Sequence, residues 1–275
     1  MRRGTRTITA VAATALALTT GIGSAAATND TTAPARLALQ QAGVSPGQPG
    51  VSLPERGSTV QAGDLSITYP AAATTSRAID RHTRVFDGRH FDQVVQSTGE
   101  DDVRMLTVLT DRSAPTTYDY SFSGEKLEPV ADGYVAVLDE QSGEPVAIIE
   151  PAWAKDAAGK PVATHYEVDG STLTQVVDVD ETTAFPVVAD PSVKFHWWGV
   201  DVHYNWRETS LTATGAAGCA LVATWIPDPT LSKVVAFSCG AVALWARTAK
   251  SRGKCIAMKK AWVGPLIPWY WSCKH

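Results

Sequence analysis

In the first large part of the chain, hydrophobic and polar residues alternate in short runs. Between residues 63 and about 180, apolar and polar positions alternate over strand-length stretches, for example at Val103, Met105 and Leu109. Such period-two runs predict half-buried strands, here at 65–69, 83–86, 93–96, 103–109, 117–122, 134–138, 146–149, 162–168 and 172–177. Asp132-Gly133 and Asp169-Gly170 lie between runs and are typical of hairpin turns. We therefore expect an all-β sandwich or open barrel, whose strand order the pattern does not give.

The pattern changes after residue 192. Residues 199–204 alternate like a strand, and Asn205 followed by Glu208 is a capping-box-like helix start. Residues 211–226 carry no charge, Pro227-Asp228-Pro229 interrupts them, and a second helix is expected from 230 to about 250. Two further strands are expected at 255–258 and 269–273. The sequence thus predicts a helical hairpin within a small α+β unit, and an α+β protein overall.

All four cysteines lie in this last part of the chain. An even number of cysteines in an exported chain predicts disulfides, and four cysteines allow three pairings. An antiparallel helical hairpin brings Cys219 level with Cys239, and Cys255 and Cys273 flank the next turn in the same way. We favour these two pairs over a zinc site, because no two cysteines have the close spacing that zinc sites use.

Charge divides the chain at the same boundary. Residues 193–275 carry ten basic and three acidic side chains, whereas residues 28–192 carry 11 basic and 25 acidic ones. Eight of the nine tryptophans also lie beyond Ser192. We predict a flexible linker at 28–62, an acidic all-β domain at 63–191 and a basic, Trp-rich, disulfide-stapled domain at 192–275.

The first 27 residues have the features of a secretory signal peptide. Arginines at positions 2, 3 and 6 precede an uncharged stretch at 8–22, and Ala25-Ala26-Ala27 forms a small-residue cleavage site. A membrane anchor is the competing interpretation, but the stretch is short and no basic flank follows it. The sequence predicts cleavage between Ala27 and Thr28, a secreted, extracellular protein, and no transmembrane segment in the mature chain.

No residue cluster in the sequence matches a known catalytic or metal-binding pattern. The densest group of ligand-type side chains is His82, Asp87, His90 and Asp92, whose spacing is better explained by a solvated strand-turn-strand. Phosphate-loop, dinucleotide-glycine and His-Glu-x-x-His motifs are absent from the sequence. We therefore expect no cofactor, no metal, no catalytic residue and no nucleic-acid partner.

Three segments resemble those of exported proteins of actinomycete-type bacteria. They are 151–162 with 164–168, then 185–191, and the tail pattern in which Tyr204-Asn205 precedes Glu208-Thr209 and Arg252-Gly253 precedes Cys255. In that group an acidic β-region precedes a variable tail. The resemblance implies export and this architecture, and it implies no activity and no catalytic residue.

These features favour a non-catalytic exported protein whose basic tail binds anionic envelope material, either wall polymer or membrane surface. The residues expected at that surface are Trp197, Trp198, Lys254, Lys259, Lys260, Trp262, Trp269 and Trp271. One alternative is an antimicrobial or toxin-like tail that the acidic region masks. Another is an extracellular enzyme of unrecognised type. The sequence does not indicate the oligomeric state.

Overall fold

The structure is a computed structural model that describes residues 31–195, 198–227, 229–261 and 265–273. Five α-helices lie in these ranges: α1 Ala33–Gln41, α2 Trp206–Thr212, α3 Ala216–Ala223, α4 Pro229–Phe237 and α5 Cys239–Ser251. Together with the strands they make an α+β protein, as the sequence predicts.

The strands fall into two groups along the chain. Fifteen precede residue 195: β1 Thr59–Ala62, β2 Leu65–Thr68, β3 Arg77–Asp80, β4 Thr83–Phe86, β5 Phe91–Ser97, β6 Val103–Leu109, β7 Thr117–Ser123, β8 Glu125–Pro129, β9 Val135–Asp139, β10 Pro145–Ile149, β11 Ala154–Lys155, β12 Ala163–Asp169, β13 Thr172–Asp178, β14 Val187–Ala189 and β15 Ser192–Lys194. Three follow: β16 Trp198–His203, β17 Cys255–Ala261 and β18 Leu266–Trp271.

The first fifteen strands build two open sheets packed face to face. One sheet has the order β1-β2-β7-β13-β12, and the other has the order β3-β4-β5-β6-β15-β10-β9-β8, with β14 paired to both β6 and β11. Alternate residues of both sheets meet in one core, among them Ile67, Tyr120 and Leu173 from the first and Met105 and Val137 from the second. The period-two pattern is consistent with a sandwich, because every second residue of a strand points to the same side and these residues meet between the two sheets.

The hairpin turns adopt the backbone conformation that glycine favours. Gly133 and Gly170 have φ angles of 78° and 59°. Side chains with a Cβ rarely adopt this region, so Asp-Gly pairs in the sequence mark the turns correctly.

The segment predicted as a flexible linker contains regular structure. Helix α1 begins with a proline in its first turn and buries Ala35, Ala38 and Leu39, and Ala42, the residue after the helix, is also buried. These residues pack on the outer face of the larger sheet, against a cluster that includes Val94 and Leu106. The spacing i, i+3, i+4, i+7 gives the helix one apolar side, and burial of that side outweighs the weak tendency of so short a helix to form alone.

Beyond residue 195, the four helices α2 to α5 pack against a three-stranded antiparallel sheet of order β16-β17-β18. Tyr204, Val222, Val235, Val242 and Met258 belong to a second hydrophobic core between this sheet and the helices. The start of α2 has the predicted capping box: the Asn205 side chain accepts from the Glu208 N–H, and Glu208 accepts from the Asn205 N–H.

Each leg of the predicted helical hairpin consists of two short helices. Gly215, with φ of 136°, separates α2 from α3, and Ser238 separates α4 from α5. A Cβ on Gly218 would lie 2.1 Å from the Leu211 carbonyl oxygen, so only glycine permits this close approach of α3 to α2. The disulfides are Cys219–Cys239, which joins α3 to α5, and Cys255–Cys273, the pairing that the sequence favours.

The C-terminal sheet packs against the outer face of the larger sheet of the sandwich. Ile267 of β18 is fully buried against Ala136, Leu138 and Ile148. The Lys259 ammonium of β17 donates to Glu144 Oε1 at 2.6 Å and to the Pro145 carbonyl oxygen at 3.1 Å. The helices lie on the opposite side of the C-terminal sheet, because their buried residues share the second core with Ile256 and Met258.

Candidate functional site

The sequence-predicted binding residues do not form one exposed surface. Trp197 and Trp262 lie outside the described residues, and only the backbone of Trp198 is described, in β16. Lys254, Lys260 and Trp271 are half-buried. Their part in binding stays a prediction.

Two members of that set are buried. Lys259 is 2% exposed, and its ammonium donates to the Glu144 carboxylate. Trp269 is 8% exposed and packs edge-on against His203, with 5.1 Å between the ring centroids. Both side chains extend from the face of the C-terminal sheet that is turned to the sandwich. Because side chains alternate along β17 and β18, Lys259 and Trp269 lie on the same face of the sheet as Ile267. The sequence pattern does not indicate which face of the sheet packs against the sandwich.

The large exposed apolar side chains lie instead on the helices. Of the five in the described part of the chain, four lie in or just after these helices: Leu221 in α3, Trp225 two residues after α3, Phe237 in α4 and Leu244 in α5. Phe237 is 92% exposed, and Leu244 is 59% exposed. Small exposed residues lie beside them on the same helices, namely Ala220, Ala236, Gly240 and Ala241. Exposed apolar side chains that lie together are typical of a site that contacts a partner or a membrane.

Exposed cations accompany these side chains. They are Arg207 of α2, Lys233 of α4, and Arg247 and Lys250 of α5. Glu208 is the single acidic residue among the described residues of 206–251, and its carboxylate is engaged in the capping box. We call Leu221, Trp225, Phe237 and Leu244 with these four cations the helical face.

Two contacts hold cations of the helical face in place. The Arg247 Nε donates to the Ala213 carbonyl oxygen at 2.9 Å, which ties α5 to the end of α2. The Arg207 guanidinium lies 5.9 Å from the centroid of the Trp225 ring, within the range of a cation–π contact. The helical face therefore presents positive charge beside apolar side chains on a disulfide-linked support.

The group at His82 to Asp92 surrounds a strand connection. Asp92 is buried and accepts from the Gly88 N–H at 3.0 Å, and burial raises the pKa of its carboxyl to about 6. Asp87 is paired with Arg77, and His90 Nδ1 lies 3.0 Å from Asp111, a hydrogen bond that lowers the pKa of Asp111. Within the described ranges, no three His, Cys, Asp or Glu side chains are grouped so as to hold a metal ion.

The predicted cleavage site, Ala27 and Thr28, lies outside the described residues. Among the helices that are described, none combines the length and the apolar character needed to cross a membrane. No protein-family model, curated protein or solved structure matches this chain.

Proposed function

We propose that the chain is an exported, non-catalytic protein whose C-terminal part binds the anionic lipid surface of a membrane at the cell envelope through the helical face. The observation that carries this proposal is the nearly complete exposure of Phe237 at the end of α4, a helix that also carries the exposed Lys233 and is followed by α5 with the exposed Arg247. Water contact of a phenylalanine side chain is unfavourable by about 1.5–3 kcal/mol relative to burial. An apolar phase that also carries negative charge would recover this free energy and attract the cations.

A bilayer fits the helical face better than a wall polymer does. Wall polymers offer charge and hydroxyl groups, which would satisfy the cations and leave Phe237 and Leu244 in water. Anionic headgroups attract each nearby lysine or arginine by about 1 kcal/mol, and the acyl boundary accepts apolar side chains about 5–10 Å deep. The short helices would lie in the plane of the interface.

Export is supported by the two disulfides, which form in oxidising compartments, together with the leader pattern of residues 1–27. The acidic β-region contacts the other side of the C-terminal sheet, through Ile267 and Lys259. The intact chain would therefore bind membranes without prior removal of the β-region, in contrast to a masked toxin.

The test is sedimentation of the intact secreted chain with vesicles of phosphatidylcholine alone or with phosphatidylglycerol added, at 0.15 M and 1 M salt. We expect binding to the anionic vesicles only, with a blue shift of tryptophan fluorescence from Trp225. Binding should weaken at high salt, because the Debye length falls from about 8 Å to about 3 Å. Dye release from the same vesicles would favour the toxin-like alternative.

Matched variants separate the helical face from the rest of the surface. Phe237→Ser should lower vesicle binding about tenfold or more, whereas Leu37→Ser, at a residue 54% exposed on α1, should leave it unchanged. Lys233→Glu should weaken binding about tenfold, and Lys160→Glu, at an exposed lysine of the β-region, should not. Equal binding to neutral and anionic vesicles, or equal effects of the paired variants, would refute the proposal.

A further inference from the structure

Strand β12 forms an open edge of the five-stranded sheet of the sandwich. It has seven residues, pairs with β13 in an unbroken register, and pairs with no other strand in the described part of the chain. The strands at the other three edges, β1, β3 and β8, have four, four and five residues. In addition, β3 pairs irregularly and β8 ends at Pro129. Short strands, irregular pairing, lysines and prolines protect an edge from pairing with another chain, and β12 has none of these features.

Alternate backbone groups of β12 point away from β13. Just before the strand, the Val162 N–H donates to the Ala154 carbonyl oxygen of β11 at 3.0 Å, on the side away from β13. Backbone groups alternate in direction along an antiparallel strand, so the N–H and C=O groups of Thr164, Tyr166 and Val168 also point away from β13. They form a row of donors and acceptors with which no described strand pairs.

The core-facing side chains of β12 are incompletely covered. Thr164, Tyr166 and Val168 are half-buried, whereas the core-facing residues of β13 are buried. A cavity of about 280 Å³ lies beside these three side chains and is also lined by residues of 129–135, which belong to the other sheet. A strand added at the open edge would cover the core-facing side chains of β12, as β12 itself covers those of β13.

The exposed side chains of β12 indicate which strand fits this edge. His165 and Glu167 lie on the outer face, with 3.7 Å between His165 Nε2 and Glu167 Oε1. If two β12 strands pair antiparallel around Tyr166, Thr164 of each copy lies opposite Val168 of the other. These residues and the two Tyr166 residues then exchange both N–H···O=C bonds. His165 of each copy lies opposite Glu167 of the other, so the strand is complementary to a second copy of itself.

Side-chain chemistry and strand length both favour this register. Tyr166 is the midpoint of β12, so a two-fold axis there pairs the whole strand. An axis at His165 would place two imidazoles opposite each other, and an axis at Glu167 would place two carboxylates opposite each other. Either shift would also leave one end of each strand unpaired. Opposite side chains have Cβ atoms about 4.5–5.5 Å apart, close enough for an imidazole to attract a carboxylate and for two carboxylates to repel each other.

We propose that the chain forms a two-fold symmetric homodimer in which the β12 strands of two copies pair antiparallel around Tyr166. The five-stranded sheets of the two copies thereby join into one continuous sheet. A closed two-fold interface uses the same surface on both copies, so the open edge is occupied in each. The contact involves no residue of the helical face, and dimerisation therefore does not depend on membrane binding.

The test is analytical ultracentrifugation of the intact, oxidised chain without lipid, over a series of protein concentrations. We expect a monomer–dimer equilibrium with a dissociation constant in the micromolar range, because an interface built on one strand pair is small. Amide hydrogen exchange at Tyr166 and Val168 should slow as the protein concentration rises, since these N–H groups donate to a second copy only in the dimer. A chain that stays monomeric at every concentration would overturn the proposal.

Variants of the exposed residues test the register. His165→Glu places a carboxylate opposite Glu167 of the second copy and should weaken the dimer about tenfold. The exchange variant His165→Glu/Glu167→His restores the complementary pairs and should dimerise within about threefold of the parent chain. Thr68→Glu, at an exposed residue of β2 in the same sheet, is the control for added negative charge and should leave the dissociation constant unchanged. Failure of the exchange variant to restore the dimer would refute the register.

Two further variants locate the contact. Val168→Pro removes an N–H that points to the open edge and leaves the hydrogen bonds with β13 in place. Edge strands tolerate proline, so the unfolding midpoint should change little while the dimer is lost. Phe237→Ser should dimerise as the parent chain does, because the helical face is not part of the interface. Undiminished dimerisation of Val168→Pro, or loss of the dimer in Phe237→Ser, would place the contact elsewhere and contradict the proposal.

Discussion

The buried carboxyl of Asp190 makes the stability of the sandwich core depend on pH. Its carboxylate is fully buried, and Oδ1 accepts from the Trp153 N–H at 3.0 Å and from the Tyr166 hydroxyl at 3.2 Å. Its other oxygen, Oδ2, has no hydrogen-bond partner among the residues that the structure describes. Burial raises the pKa of Asp190 to about 7, and the two hydrogen bonds only partly oppose that shift. In the unfolded chain the same group titrates near pH 4.

We predict that Asp190→Asn removes a pH dependence of stability. Between pH 4 and pH 7 the folded protein holds a proton that the unfolded chain has lost, so the free energy of unfolding falls as pH rises, by up to about 1.4 kcal/mol per unit. Asparagine keeps the accepting oxygen and carries no charge. The variant should therefore gain stability relative to the parent at pH 8 and little at pH 4.5.

Urea unfolding at both pH values measures this difference. Asp180→Asn is the control, because Asp180 is fully exposed and its pKa is lowered by Thr182 and Thr183. A stability gain of equal size at pH 4.5 and pH 8 would contradict the assignment of the pH dependence to Asp190.

Side-chain roles on the C-terminal sheet were the least predictable from sequence. Lysine and tryptophan at the surface are ordinary expectations, yet Lys259 and Trp269 are buried because a second layer covers their face of the sheet. Conversely, Phe237 is 92% exposed although residues 234–246 carry no charge, a composition that is typical of a buried helix. Where a helix carries almost no polar residues, as α3 does, the sequence gives no polar side by which to orient it.

At the scale of elements, the disulfide Cys219–Cys239 connects the two legs of the helical hairpin. Helix α4 buries Leu231 and Val235, while its Lys233, Ala236 and Phe237 are exposed. So small a buried side leaves α4 dependent on its neighbours for its position. The cross-link holds α3 against α5 and thereby restricts the loop that contains α4.

We predict that Cys219→Ala/Cys239→Ala loosens the helical hairpin and leaves the sandwich intact. A cross-link of this loop length contributes about 3 kcal/mol in the chain-entropy model. Amide hydrogen exchange should accelerate in α3 and α4, and protection in β5 and β6 should be unchanged because their core is separate.

Cys255→Ala/Cys273→Ala is the matched comparison, since its sequence separation is 18 against 20 for the first pair. It should mainly affect β17 and β18. Uniform acceleration of exchange across the whole chain in either double variant would show that the two cores do not respond separately.

Most elements were predictable, and those missed have identifiable causes. All nine alternating runs are strands in the structure. Strand β14 is not among the predicted runs, because it is a short segment between Pro186 and Pro191 and its three residues are all buried instead of alternating. Strand β8 carries Leu127 as its one buried residue. The partner of each strand was not predictable, because alternation orients a strand without specifying its neighbour.

At the scale of the whole molecule, Lys259 joins the C-terminal part to an acidic region of the sandwich. The cavity beside it, about 460 Å³, is also lined by Asp64, Asp101, Glu125 and Asp139. Burial of the Glu125 carboxyl is the main cause that raises its pKa to about 7. The negative charges of Asp139 and Glu140 raise it in the same direction. The charge split seen in the sequence thus corresponds here to a specific contact between a buried lysine and a carboxylate-lined cavity.

We predict that Lys259→Met lowers the stability of the C-terminal part by about 1–3 kcal/mol. The substitution removes the hydrogen bonds to Glu144 and Pro145 and leaves the surrounding carboxylates without this cation. The loss should be larger at pH 8 than at pH 5, because more carboxylates are ionised.

Thermal unfolding followed by tryptophan fluorescence reports on this part, since eight of the nine tryptophans lie beyond residue 192. Lys250→Met, at an exposed lysine of α5, serves as the control and should change the midpoint little. Equal shifts for the two variants would contradict the importance of the contact with Glu144.

Helix α1 sets a limit on how far the N-terminus can be trimmed. Its buried residues cover Val85, Val94, Leu106, Val108 and Val188 on the outer face of the larger sheet. Truncation of the chain through Gln41 would uncover valine and leucine side chains across several strands, a surface that promotes aggregation. Truncated forms that remain dispersed should therefore begin before Ala33, because α1 covers an apolar surface whose exposure promotes aggregation.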